Sequence, residues 1–352
     1  MKREGPIKTP GAKLSSLPDA VRGGGGPVKG CERLDLDASV KLLRVVRSYF
    51  DDPCNGGIGD NQPILHQLPD GWLARDQGRV RGTCVSFAAL AAYELYRYWN
   101  NGGAPVEDFS EELLYAQMRT AFDLRKRAKP APPAGEEPIE GYDDFGASLL
   151  WQAGSALDAT GAAGEELLPY KWSERRPAYH VPDAAAGIPA GAYKTLDKRV
   201  HRVAEMPTPD DRPGDPLSHS VRYLLSHKVP VCLSFPMLAE RGGHNVWSFS
   251  PGWSTGVIAD PKVDPNTDGS QKPDNIGGHS VCIVGYFPDA SDDGEPGSGW
   301  FVFRNSWGRR FGHSANFGAY PTPVAPQPGY GIISTHHVDT HCWEMMFIAP
   351  KK

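Results

Sequence analysis

Helical spacing dominates the first half of this 352-residue chain, and strand-like runs dominate the second half. Three segments of the first half repeat apolar residues at helical intervals: 84–99, 109–128 and 146–161. A short helix at 219–228 leads into the second half, where three apolar runs are typical of buried strands: 229–235, 279–287 and 300–308. Helices and strands that are segregated along a chain favour the α+β class. We therefore predict an α+β fold whose two halves share one cleft.

Charge and composition disfavour several partners. Lys and Arg total 37 against 42 Asp and Glu, a net charge of −5 with no basic excess for nucleic acid or an anionic membrane. No run approaches the ~18 apolar residues of a membrane span, and the opening MKREGPIKTPGAKLSSLP lacks the apolar core of a signal peptide. We therefore expect no membrane insertion and a cytoplasmic location, with export that needs no cleavable signal left open.

The six cysteines are scattered, at positions 31, 54, 84, 232, 282 and 342. They form no CxxC pair and no Cys/His spacing suited to zinc, so no metal site is expected. Such a low density is tolerated in a reducing compartment, and a Cys31–Cys54 disulfide stays open as an alternative. Four histidines are interpreted as surface or core residues: His313, His336, His337 and His341.

The first 66 residues are predicted to lie outside the main domain. Residues 1–30 include the run GGGGP and are too polar to bury a core, so we interpret them as a flexible leader. Residues 31–66 form an N-terminal extension with one amphipathic helix, DASVKLLRVVRSYF, which is either a pro-segment or part of the core. The main domain is predicted at 67–350, with a helical half at about 67–215 and a β-rich half at about 216–350.

Cys84 has the most informative position among the cysteines. A Gly-Thr turn precedes it and the helical pattern starts at it, which predicts a cysteine at a helix N-terminus. Backbone N–H groups and the positive end of the helix dipole stabilise a thiolate there, and the thiolate is the reactive form of cysteine. The alternative is a small buried hydrophobic side chain, which is the commoner role of a free cysteine.

A thiolate nucleophile needs a base and a group that fixes the tautomer of that base. His279 starts one predicted strand and Asn305 ends the next, so pairing of the two strands through the 288–299 loop makes them neighbours. The asparagine carbonyl then accepts from one imidazole nitrogen and leaves the other facing the thiol, with Trp307 covering the bond. His244, in the similar run GGHNV, is followed by polar turn residues and is the weaker candidate.

The three segments around Cys84, His279 and Asn305 resemble the papain family of cysteine peptidases, in particular its divergent bacterial branch. RDQGRVRGTCVSFA is similar to the family's active-site segment, GGHSVCIVGY to its histidine segment and RNSWG to its asparagine segment, in the family's order. Weaker matches such as DFSEELLY and PGYGIIS extend the resemblance over roughly residues 68 to 348. It implies a two-lobed fold, with a helical lobe, a β-rich lobe and the active site in the cleft between them.

The resemblance also implies a role for each matching residue. Cys84 is then the nucleophile, His279 the general base and Asn305 the residue that orients the histidine. Gln77 takes the oxyanion-binding role with the backbone N–H of Cys84, and Gly146 corresponds to the glycine edge that pairs with an extended substrate. The implied reaction is hydrolysis of a peptide bond in a peptide or protein substrate, without a metal or organic cofactor.

The chain departs from the family's pattern around the nucleophile. One extra residue separates Gln77 from Cys84, and the cysteine that usually precedes the nucleophile in the same turn is missing. Val85 and Phe311 stand where tryptophans are common, and 236–275 is interpreted as a polar insertion. Two other functions therefore stay open: a transferase or deamidase that uses the same residues, and a binding protein that has the fold without the activity.

Overall fold

The computed structural model describes residues 32–33, 50, 62–78, 81–103, 105–121, 148–171, 183–195, 199–203, 216–240, 244–248, 252–258, 274–289, 298–313 and 327–349. Three predictions lie wholly outside these residues: the leader at 1–30, the pairing of Cys31 with Cys54, and the role of Gly146. Of the helix predicted in the extension, only its last residue, Phe50, is described.

The described helices are α1 (Cys84–Asn100), α2 (Glu111–Ala121), α3 (Leu150–Thr160), α4 (Leu217–Ser226), α5 (Gly252–Thr255) and α6 (Thr335–His341). The first four match the helices predicted from apolar spacing. α1 is the central one, because its alanine-rich sequence is buried on nearly all sides. None of the helices in the described ranges has the length and apolarity needed to cross a bilayer.

The strands in chain order are β1 (Glu32–Arg33), β2 (Ile64–Leu65), β3 (Ala162–Ala163), β4 (Tyr193–Lys194), β5 (Arg199–Val203), β6 (Val231–Glu240), β7 (His244–Asn245), β8 (Val257–Ile258), β9 (Asp274–Pro288), β10 (Gly299–Arg304), β11 (Tyr330–Ser334) and β12 (Glu344–Ala349). Ten of them form one sheet with the order β1-β5-β12-β6-β9-β10-β11-β8, in which β2 also pairs with β9 and β7 with β6. β3 and β4 form a separate pair. The sheet thus includes β5, which falls in the half predicted as helical.

β9 and β10 form the antiparallel hairpin predicted from the sequence, and their ladder ends at Arg304 opposite Cys282. β6 pairs with β9 on the other side, and both strands are longer than expected, with 10 and 15 residues. His279 therefore lies inside β9 and not at its start, which corrects the predicted strand boundary. Because β10 stops opposite Cys282, the part of β9 that carries His279 borders the cleft.

The core lies between α1 and the sheet. Cys232 of β6 donates its thiol hydrogen to the carbonyl oxygen of Ala88 in α1 at 3.1 Å. On β12, which is buried throughout, Glu344 accepts from the N–H groups of Leu150 and Trp151 at 2.9 and 2.8 Å. A buried carboxylate at a helix N-terminus satisfies N–H groups that have no partner within the helix. These bonds attach both α1 and α3 to the sheet.

The described residues of the N-terminal extension contact the domain at several places, among them the pairing of β2 with β9. β1 pairs in parallel with β5. The ring of Phe50 packs on Tyr223 of α4 and on His227 just after it, with ring centroids 6.0 and 4.8 Å apart. Phe50 is therefore part of the packing of the β-rich half.

Candidate active site

Cys84 is the first residue of α1 and is 8% exposed. Thr83 makes no capping bond from its side chain; instead its hydroxyl bonds the hydroxyl of Tyr170 at 2.8 Å, and Tyr170 donates to the carbonyl of Gln77 at 2.9 Å. The N–H groups of the first turn are thus left for a ligand or for the thiolate. α1, which is described over its whole length, carries no acidic side chain in its first turn. This setting favours negative charge at the start of the helix.

Burial is the largest influence on the ionisation of Cys84, and it raises the pKa of the thiol. Hydrogen bonds from the backbone N–H and the hydroxyl of Ser280 act in the opposite direction. Ser280 directly follows His279 on β9. The Cys84 sulfur therefore lies next to Ser280, one residue along β9 from His279.

The hairpin brings His279 and Asn305 together, both of them 3% exposed. Their Nε2 and Oδ1 atoms are 2.8 Å apart, and Oδ1 also accepts from the N–H of Ser306 at 2.7 Å. Because an amide oxygen only accepts, Nε2 carries the hydrogen and Nδ1 is the basic nitrogen of the neutral ring. Burial lowers the pKa of His279 to about 4, and the bond to Asn305 opposes that shift.

Aromatic rings enclose the imidazole. Trp307 stacks on His279 with centroids 4.3 Å apart and an interplanar angle of 29°, as the sequence predicts for the residue that covers the bond to Asn305. Trp253 stacks in turn on Trp307 at 5.5 Å, and Trp247 meets the imidazole edge-on at 5.3 Å. Both tryptophans lie in the segment interpreted as a polar insertion, so neither was predicted to line the site. The sequence feature that could have indicated them is the presence of two large aromatic residues within a polar segment.

Gln77 is 5% exposed and is held in place by the asparagine segment. Its backbone N–H donates to the carbonyl of Ser306 at 2.8 Å, and its side-chain oxygen accepts from the Ser306 hydroxyl at 2.6 Å. The amide nitrogen of its side chain donates to the carbonyl of Arg81 at 3.2 Å. The amide orientation is therefore fixed, with the NH₂ group on the side of the turn that leads to Cys84.

Among solved structures, the chain is similar to xylellain, a cysteine protease from Xylella fastidiosa: the TM-score is 0.53 over 92% of this chain and 96% of that chain, at 16% identity. It is also similar to procathepsin L 3 from the larval midgut of Tenebrio molitor (TM-score 0.46, 83% of this chain and 75% of that one, 16% identity). A third similar structure is bromelain from Ananas comosus (TM-score 0.43, 79% and 94%, 17% identity). No protein-family model and no curated protein matches the sequence.

The likeness to xylellain extends over nearly the full length of both chains. The chain has a papain-like fold. Its helical lobe contains α1 to α3, its β-rich lobe is built on the large sheet, and Cys84 lies where α1 meets β9. Because one fold can host several functions, the activity has to be inferred from the residues themselves.

Arg81 lies in the turn that leads to Cys84. Its guanidinium makes two bonds to the carboxylate of Glu112 on α2, at 2.7 and 2.9 Å, and the two side chains are 3% and 0% exposed. The guanidinium also lies over the rings of Tyr115 and Tyr170, at 4.7 and 5.4 Å. A buried ion pair thus anchors the turn before Cys84 to the helical lobe.

The other candidates lie away from this centre or have no described side chain. His244 of β7 pairs through its backbone with Glu240 of β6, and nothing of its side chain is described. His337 is fully buried beside Phe235, in agreement with a core role. Within the described ranges, no group of three or more His, Cys, Asp or Glu side chains is placed to hold a metal ion.

Proposed function

We propose that the protein is a papain-like cysteine peptidase in which Cys84 is the nucleophile, His279 the general base and Asn305 the residue that orients the base. The observation that carries the proposal is the buried 2.8 Å bond between His279 and Asn305 under Trp307, with the Cys84 thiol at a helix N-terminus next to Ser280, the residue that follows His279. That bond leaves Nδ1 of the imidazole as the proton acceptor.

Proton transfer from Cys84 to His279 starts the reaction. Because burial lowers the pKa of His279 to about 4, the imidazole is an unprotonated base at neutral pH. It takes the thiol proton, and the resulting thiolate attacks the carbonyl carbon of the scissile bond. The imidazolium then gives its proton to the leaving amine, and a thioester remains on Cys84. Water that is deprotonated by His279 hydrolyses the thioester and restores the thiol.

We assign stabilisation of the oxyanion to Gln77 and to the backbone N–H of Cys84. A carboxamide has two N–H donors, and the bond from Gln77 to the carbonyl of Arg81 uses one of them. The second N–H then binds the negative charge that develops on the substrate oxygen. One such donor contributes ~2.7–4 kcal/mol to transition-state stabilisation, so Gln77→Ala should lower kcat by about 100- to 1000-fold.

Labelling with an epoxide thiol trap tests the proposal. We expect mass spectrometry to find the adduct on Cys84, no adduct there in Cys84→Ala, and slow labelling in His279→Ala. Cys232, which is fully buried on β6, serves as an internal reference for an unreactive thiol. Labelling of Cys84 no faster than that of Cys232 would overturn the proposal.

A fluorogenic peptide library then separates the possible functions of a reactive Cys84. Release of the amine product, with loss in Cys84→Ala, supports a peptidase. Transfer of the acyl group to an added amine, or release of ammonia from a glutamine side chain, indicates the transferase or deamidase alternative. No turnover of any of these substrates by a reactive, folded protein indicates a binding protein.

A further inference from the structure

Two buried serines stand opposite each other beside the nucleophile. Ser234 of β6 and Ser280 of β9 are register partners, their hydroxyl oxygens are 2.8 Å apart, and each residue is 3% exposed. The neighbouring pairs along this ladder are Leu233 with Val281, and Cys232 with Cys282, all fully buried. A hydroxyl pair in such surroundings adds desolvation cost that alanine or valine would avoid. Packing alone therefore gives no reason for the two serines.

The fold places Ser234 and Ser280 next to the start of α1. Cys232 bonds the carbonyl of Ala88 in α1, so the face of β6 that carries Cys232 packs on that helix. Side chains alternate along a strand, which puts Ser234 on the same face as Cys232, with Ser280 beside it. Cys84 lies four residues before Ala88, one helical turn closer to the helix N-terminus. Ser280 also lowers the pKa of the Cys84 thiol through its N–H and its hydroxyl, against the larger effect of burial, which agrees with this placement.

We infer that Ser280 is a second source of thiolate stabilisation, in which its hydroxyl and N–H donate to the Cys84 sulfur while Ser234 positions that hydroxyl. The inference rests on the proposed function. Each hydroxyl has one hydrogen. When the sulfur is ionised, Ser234 donates to Ser280 and Ser280 donates to the sulfur. When the sulfur is protonated, the Ser280 hydroxyl turns and donates to Ser234. The pair thus adapts to both states without adding a charge.

Several ionisable groups lie on the strands around Ser234 and Ser280. β9 carries His279 and Cys282, β6 carries Cys232, and β12 places Glu344 in register with Ser234. The Glu344 carboxylate is bound by the N–H groups at the start of α3. α1 contributes no acidic side chain in its first turn. His279 therefore supplies the cation once it has taken the proton, and Ser280 supplies neutral donors from the sheet side.

The test is the pH dependence of Cys84 alkylation by iodoacetamide in the full chain. We expect Ser280→Ala to move the midpoint of the rate profile upward by about one pH unit, which lowers the rate on the acid side about tenfold. Ser234→Ala should move it in the same direction by about half as much. Ser280→Thr keeps the hydroxyl and should stay within about twofold of the parent rate.

Control variants show whether the shift in the rate profile is specific to Ser280 and Ser234. Ser220→Ala removes another buried serine, on α4, and should leave the profile unchanged. If Ser280→Ala does not fold, the other two variants still test the inference. Ser234→Ala must shift the midpoint of the rate profile, and Ser280→Thr must leave it in place. An unshifted profile in folded Ser280→Ala, with a parent that is reactive and hydrolyses peptides, overturns this inference alone. An unreactive Cys84 in the parent overturns the proposed function as well.

Discussion

Replacing Glu112 with glutamine removes one charge from the buried ion pair that anchors the turn before Cys84. Arg81 and Glu112 are 3% and 0% exposed, and two charge-assisted bonds of 2.7 and 2.9 Å join them. Glutamine preserves the shape of the side chain but offers one acceptor oxygen in place of two. The guanidinium then remains buried without its counter-charge.

The expected loss of stability follows from that burial. Removing one partner of a buried pair costs ~3–5 kcal/mol, because the other charge stays desolvated. An unfolding entropy of about 2.1 cal/mol/K per residue, over 352 residues, corresponds to roughly 0.7 kcal/mol/K. The melting temperature of Glu112→Gln should therefore fall by about 4–7 °C. The proposed hydrolysis should also slow, because Arg81 lies in the turn before Cys84 and its carbonyl accepts from the Gln77 side chain.

Two further variants show whether burial is the cause. Glu107→Gln breaks the two surface pairs of Glu107, with Lys194 and with Arg97, whose side chains are 51% and 22% exposed, and should lower the melting temperature by about 2 °C or less. The double variant Arg81→Met with Glu112→Met removes both charges and should be more stable than either single change. Calorimetry measures the melting temperature of each of these variants. A melting temperature of Glu112→Gln within 1 °C of the parent, or a double variant less stable than both singles, would show that burial of this ion pair does not control the stability of the fold.

Three shorter predictions concern the site and the helical lobe. Asn305→Ala should lower kcat about 10- to 150-fold with little change in KM, since it removes one bond to a ring that becomes charged; steady-state kinetics on a peptide substrate measures this. Trp247→Ala should destabilise the fold by ~3–5 kcal/mol in denaturant titrations, because that ring is fully buried against His279. Stability should fall as pH rises from about 5 to 8, because burial raises the pKa of Glu111 to about 8 and of Glu165 to about 7. The folded protein then keeps protons that the unfolded chain releases at lower pH. Melting curves across that range should flatten in Glu111→Gln.

Local patterns account for the parts of the site that the sequence could predict. The start of α1 at Cys84 follows from a Gly-Thr turn before an apolar helical repeat. The approach of His279 to Asn305 follows from two short strands joined by one loop, which leaves an antiparallel hairpin as the simple solution. Both features depend on residues that are close in sequence, and the pairing rules of a hairpin supply the rest.

The parts that could not be predicted depend on distant residues. Arg81 and Glu112 are 31 positions apart, and no spacing rule links a turn arginine to one acidic residue among many. Trp247 and Trp253 have no periodic neighbours, so their packing around Trp307 is set by the sheet and not by their own segment. The length of β9 depends on β6, whose partner residues lie about 40 positions earlier and include a proline in an irregular part of the ladder.

The chain has one more residue between Gln77 and Cys84 than the papain family usually has. The contacts of Gln77 show whether that residue could displace its side chain. The position of Gln77 is set by Ser306, which binds both its backbone and its side chain, and Ser306 follows Asn305. After Gln77 the chain turns at Gly78, where φ is +73° and the N–H is bound by the Asp76 carboxylate at 2.8 Å. Gln77 is therefore held by the segment that follows Asn305, and its bonds to Ser306 do not depend on the number of residues between Gly78 and Cys84. A one-residue deletion between Gly78 and Cys84 should for this reason leave the bonds of Gln77 to Ser306 in place.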